Sequence, residues 1–153
     1  ALGLADGELI STEVDLFAGS IMAWLRTYAG IFFLAAGDRY IAIVPGPAGG
    51  FDVTAMHKNQ RHTGRWIVQG VADLSYAMAW AEAEVTPGEK MTATKERSWR
   101  ARPPSEKLLA LASRLALHVP GGARMGEVSN MVTLALASRR IDPHIPNYMR
   151  GRR

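Results

Sequence analysis

Between residues 30 and 70 the sequence alternates short strand-forming runs with turn residues, and this pattern restricts the fold more than anything else in the chain. Ile31 to Ala36 and Tyr40 to Val44 are aromatic, aliphatic and β-branched, and Gly37-Asp38 between them is a hairpin turn signal. Pro45-Gly46-Pro47 and Gly49-Gly50 end the second run, because proline removes a ladder donor and glycine permits positive φ. Phe51, Val53 and Ala55 then alternate with Asp52, Thr54 and Met56, the period of a half-buried strand. A polar loop from Lys58 to Thr63 leads to a fourth run, Arg65 to Gln69. Four strands in about 40 residues, joined by short turns, predict an antiparallel meander. Upstream, Val14 to Tyr28 fits a strand near Met22 to Arg26 better than a short helix.

The helical period appears after the meander. Asp73 stands where an N-cap is expected, and Leu74, Ala77, Met78 and Ala81 share one helical face. Glu82 and Glu84 read as solvated surface of that helix, and Pro87-Gly88 as its stop. Residues 1–87 therefore predict a sheet with one covering helix. Residues 88–103 read as a basic linker closed by Pro103-Pro104. Ser105 can cap a further helix with Glu106 in its first turn and Leu108, Leu111, Ala112 and Leu115 as its apolar stripe. After a loop from Val119 to Arg124, a last helix begins near Gly126-Glu127. It turns Val128, Met131, Val132 and Ala135 inward and closes at Arg139-Arg140. The expected fold class is α+β: an antiparallel meander with a covering helix, a basic linker, a helix–loop–helix module over 104–141 and a basic tail over 142–153.

Charge follows the same division. Residues 1–87 hold five Lys and Arg against nine Asp and Glu, a net of −4, whereas residues 88–153 hold thirteen against five, a net of +8. A basic half beside an acidic half points to a polyanionic partner for one of them. No cysteine is present, which excludes disulfides, thiolate nucleophiles and Cys-containing zinc sites, and the cytoplasm is the expected compartment. No apolar run approaches the ~20 residues of a bilayer span, so no membrane association is expected. A start at Ala1 rather than Met fits a processed product or a piece of a longer protein.

Two groups of residues carry a family likeness. One is Asp15-Leu16-Phe17 with Ser20 and Trp24, the meander, and an alanine-rich helix leading to Trp99-Arg100. The other is Pro104-Ser105-Glu106-Lys107 with Leu108, Leu111 and Leu115, followed by Gly126-Glu127-Val128-Ser129-Asn130. Over residues 13–142 these resemble the region C-terminal to the motor in bacterial and phage superfamily 2 DEAD/DEAH-box helicases, with departures at Leu108 and Asn130. The resemblance implies an accessory region lacking the motor domains. The chain has no Walker A glycine loop, so no ATPase activity of its own is expected.

The linker Lys95, Arg97, Trp99, Arg100 and Arg102 combines phosphate-binding cations with an aromatic ring that either stacks on an unpaired base or anchors the linker between domains. Lys107, Arg114, Arg124, Arg139 and Arg140 extend this basic surface over the two helices, or decorate solvent faces and C-terminal turns. Together these ten residues are the expected nucleic-acid-binding set, on single strands or duplex and independent of sequence. His57 and His62 read as surface histidines, and no catalytic residue, metal or cofactor is expected. The reading of a different class is a protein-interaction module that packs on a helicase motor or another protein.

Overall fold

The computed structural model describes residues 17, 19–47, 49–60, 64–93 and 98–144. Five strands form one antiparallel sheet in chain order: β1 (Leu25–Arg26), β2 (Phe32–Ala36), β3 (Arg39–Pro45), β4 (Phe51–His57) and β5 (Arg65–Val71). The meander and its α+β class are those the turn residues predict. Ala36 pairs with Arg39 across a two-residue turn in which Gly37 has φ +59°, the backbone that a type II′ turn requires at its first central position. The segment around Trp24 contributes the two-residue edge strand β1, paired with Phe32 and Phe33.

In β3 the run Tyr40 to Val44 is buried without interruption, as is Asp52 to Met56 in β4. A strand buried on alternate residues has one covered face, whereas continuous burial requires two. On the first face Leu34, Ala36, Ile41, Ile43, Val53 and Ala55 pack against Ala77, Met78 and Ala81 of α1 (Leu74–Glu84). Asp73 precedes this helix as expected, but its carboxylate makes no capping hydrogen bond.

The second face is covered by the last α-helix among the described residues. Ile31, Phe33, Tyr40, Ala42, Val44 and Met56 pack against Ala137 and Ile141. That helix, Met125–Ile141, has 17 residues and spans roughly 25 Å at 1.5 Å per residue. Its N-terminal half makes a third core with the helix Glu106–Arg114, through Ala112, Ala123, Val128 and Val132. The helical module is thus seated on the sheet rather than standing apart from it, and the 87/88 boundary runs between layers of one packed structure.

Residues 88–103, expected as linker, contain the short helix α2 (Lys90–Ala93) and a 3-10 turn over Ser98–Ala101. Thr86 and Glu89 explain the helix. Thr86 N donates to Glu89 Oε1 at 3.0 Å and Glu89 N donates to Thr86 Oγ1 at 3.3 Å, a reciprocal capping box whose turn over residues 87–89 leads into α2. Pro87 therefore opens the turn into one element as well as following another. Ala93 is 1% exposed in the first core, and its carbonyl accepts from Ala23 N at 2.6 Å.

The remaining helices are α3 (Glu106–Arg114) and α4 (Met125–Ile141). Ser105 Oγ accepts from Leu108 N at 3.2 Å, the cap the sequence predicts. At the other end of α3, Leu117 N donates to Ala112 O and Ala116 N to Ser113 O, closing a Schellman motif with Ala116 at φ +58°. A Cβ in that backbone region is strained, so Ala116→Gly is expected to raise stability by about 0.5–1 kcal/mol in urea denaturation.

Candidate nucleic-acid interface

The expected basic residues divide by what their side chains touch. Lys95 and Arg97 lie outside the described residues. Arg102, Lys107, Arg114, Arg124 and Arg139 are exposed. None of the five forms an ion pair with a described residue. The described carboxylates Glu84 and Glu89 are held by Arg39 and Arg65, in the acidic half of the chain and its junction. Met125 N donates to Arg102 O at 2.8 Å, which sets Arg102 beside Arg124 at the start of α4.

Two of the expected contacts are instead committed inside the fold. Arg100 Nη2 donates to Asn130 Oδ1 at 2.8 Å and to Gly126 O at 3.3 Å, fastening the 3-10 turn to α4. The approach is close: a Cβ on Gly126 would stand 2.8 Å from Arg100 Cβ, so only glycine fits there. Arg140 Nε donates to His57 O at 3.0 Å and Nη2 to Gln60 O at 3.1 Å, while Nη1 lies 3.2 Å from His144 Nε2. Its guanidinium ties α4 to the end of β4. Both side chains point inward because planar, multi-donor guanidinium satisfies carbonyls left unpaired where elements meet.

Trp99 is half-buried beside Arg100, whose guanidinium carbon lies 5.3 Å from the indole centroid. It does not stand free on a linker. Trp99 lines a cleft of about 380 Å³ with Ala23, Leu25, Ala35, Lys58, Arg100, Ser129, Asn130 and Thr133. The floor comes from the second face of the sheet, and the wall from α4 and the 3-10 turn. Lys58 projects from the end of β4, where its backbone N donates to Asp38 O at 2.8 Å. Its ammonium lies 5.3 Å from the Tyr40 ring centroid. Burial pushes the Lys58 amine below its ordinary value, and the charge of Asp38 opposes that shift. Sequence reasoning missed Lys58 because it opens a polar loop, where a lysine normally faces solvent.

Two carboxylates expected on the solvated face of α1 are structural instead. Glu82 Oε2 accepts from Ser20 Oγ at 2.8 Å and Trp24 Nε1 at 2.9 Å, and Glu84 Oε1 accepts from Arg39 Nη1 at 2.9 Å and from Arg65. Both are half-buried, Glu82 against Ser20 and Trp24 ahead of β1 and Glu84 against Arg39 at the start of β3. His57 Nδ1 accepts from Asn59 N at 3.0 Å, and His62 lies outside the described residues. Among the described residues no group of three His, Asp or Glu could hold a metal ion, and no helix is long and apolar enough to cross a membrane. No protein-family model, curated protein or solved structure matches the chain.

Proposed function

We propose that the chain is a non-catalytic nucleic-acid-binding accessory region that holds a strand by its phosphates, as its resemblance to the region beyond a superfamily 2 helicase motor implies. The observation that supports this most is the exposed set Arg102, Lys107, Arg114, Arg124 and Arg139, none of which is paired with a described carboxylate. Exposed, unpaired cations release counter-ions on meeting phosphates, and this term is independent of base sequence.

The test is fluorescence anisotropy with single-stranded and duplex oligonucleotides over a salt series. With all five cations engaged, the log–log salt slope on single strands is expected near −3.5, about −0.7 for each phosphate. Changing the five to glutamine should flatten that slope and remove most of the binding at low salt. Absence of binding by the unaltered chain at low salt refutes the proposal.

A protein-interaction role is favoured by a separate surface. On the outer side of α1, Tyr76 is 63% exposed and Trp80 49% exposed, with exposed Ala79 and Ala83 beside them and no charged side chain among these four. A neutral aromatic face is a poor phosphate ligand and suits contact with protein.

A further inference from the structure

We propose that the cleft between the 3-10 turn, α4 and the second face of the sheet is a site for a single nucleotide, with Lys58 as the counter-ion of its phosphate. The choice of a nucleotide among phosphate-bearing ligands rests on the nucleic-acid reading; the anion preference of the cleft does not.

The anion preference follows from the lining. Lys58 and Arg100 bring two positive charges, Ser129, Asn130 and Thr133 bring hydrogen-bonding side chains, and no carboxylate lines the cleft. Arg100 already spends its Nη2 on Gly126 O and Asn130 Oδ1. Among the described residues the Lys58 ammonium has the Tyr40 ring on one side and no oxygen acceptor within hydrogen-bond distance. A half-buried ammonium is stabilised by an aromatic face, but its N–H groups still require acceptors. A phosphate supplies several, with opposite charge. Accepting from Arg100 through Oδ1 leaves the Asn130 amide N–H groups to donate.

The rest of the lining suits a planar ring. Ala23, Leu25 and Ala35 make an apolar floor, and Trp99 stands at the wall. The volume of about 380 Å³ is at the lower end of small-ligand sites, enough for one nucleotide and too small for a run of them. The occupant is either a free mononucleotide or one unstacked unit of a strand held on the basic surface outside.

The experiment titrates the whole chain with adenosine monophosphate, with inorganic phosphate and with a single-stranded oligonucleotide, by calorimetry and by tryptophan indole NMR. Adenosine monophosphate should bind at least about tenfold more tightly than phosphate and shift the Trp99 indole signal, assigned with Trp99→Phe. Lys58→Met keeps most of the unbranched side chain and removes the charge, and should weaken that binding about tenfold or more. Thr133→Val, a milder change, should weaken it a few-fold with an unchanged thermal midpoint, which keeps the test valid if Lys58→Met folds poorly. Mononucleotide binding that survives the five-glutamine variant, where strand binding is lost, supports the cleft as a site separate from the basic surface. Oligonucleotide binding without any mononucleotide binding refutes the cleft while leaving the nucleic-acid reading intact. Mononucleotide binding indifferent to both Lys58→Met and Thr133→Val refutes it as well.

Discussion

Replacing Ile141 by alanine is expected to lower the stability of the whole chain by about 2–5 kcal/mol. Ile141 is fully buried against the second face of the sheet, where it and Ala137 are the buried α4 residues facing Ile31, Phe33, Tyr40, Ala42, Val44 and Met56. Truncation removes the larger of the two helix contacts and leaves a cavity under a sheet whose backbone cannot collapse to fill it. Because α4 also carries the core it shares with α3, its loosening should weaken both layers together. Urea denaturation followed separately by far-ultraviolet circular dichroism and by tryptophan fluorescence should give coincident, left-shifted transitions. Leu136→Ala, on a side chain 38% exposed, is the control and should change stability by about 0.5 kcal/mol or less. Two separated transitions in the unaltered chain would falsify the single packed structure.

Arg39→Met should remove about 2–4 kcal/mol at neutral pH, with a dependence on acidity that identifies the cause. Arg39 Nε and Nη2 donate to the two Glu89 oxygens at 2.9 and 2.8 Å, and Nη1 reaches Glu84 at 2.9 Å. It thereby joins the β2–β3 hairpin to the end of α1 and to the capping box of α2. Its hydrogen bonds to Glu89 hold that carboxyl at about 2, below its ordinary 4.5. The unfolded chain therefore takes up this proton first as pH falls. The contribution is complete above about 4.5 and is lost progressively as pH falls toward 2. In Arg39→Met the half-buried Glu89 loses its cation while Glu84 keeps Arg65, and protonation of Glu89 relieves the cost. The difference in thermal midpoint between the two proteins should consequently shrink between pH 5 and pH 2. A difference constant over that range would assign Arg39 a packing role only.

Much of this architecture is readable from local pattern, and the contacts that are not readable join residues far apart in the chain. Gly37-Asp38 and the Pro/Gly cluster at 45–50 mark turns whose backbone requirements are local, so the meander follows from the residues themselves. Ser105 is legible as a cap for the same reason. The uninterrupted apolar run Tyr40 to Val44 already carries the signal of a sheet covered twice, but a charge count at 88–103 suggested separation instead. Composition likewise masked Thr86-Pro87-Gly88-Glu89, whose spacing is that of a capping box. The candidate site was the least legible part. Which of Arg139 and Arg140 faces solvent depends on the helix's rotation over the sheet, and Lys58 becomes half-buried only when residues from both ends of the chain close around it. Those contacts span long sequence separations, which no local pattern records.

The sharing of α4 between two cores also bears on how the chain is made. Phe33, Tyr40 and Val44 are synthesised roughly a hundred residues before the side chain that covers them, Ile141, which emerges from the ribosome last among the described core. At ordinary synthesis rates the gap between completing β4 and completing α4 is on the order of 4–17 s. For that interval an apolar sheet face stands open, and its closure is a long-range contact of the slow-forming kind. Substitutions at Ile141 are therefore expected to reduce the yield of folded protein in cells more than their equilibrium cost alone implies, measured as soluble protein against the urea-derived stability.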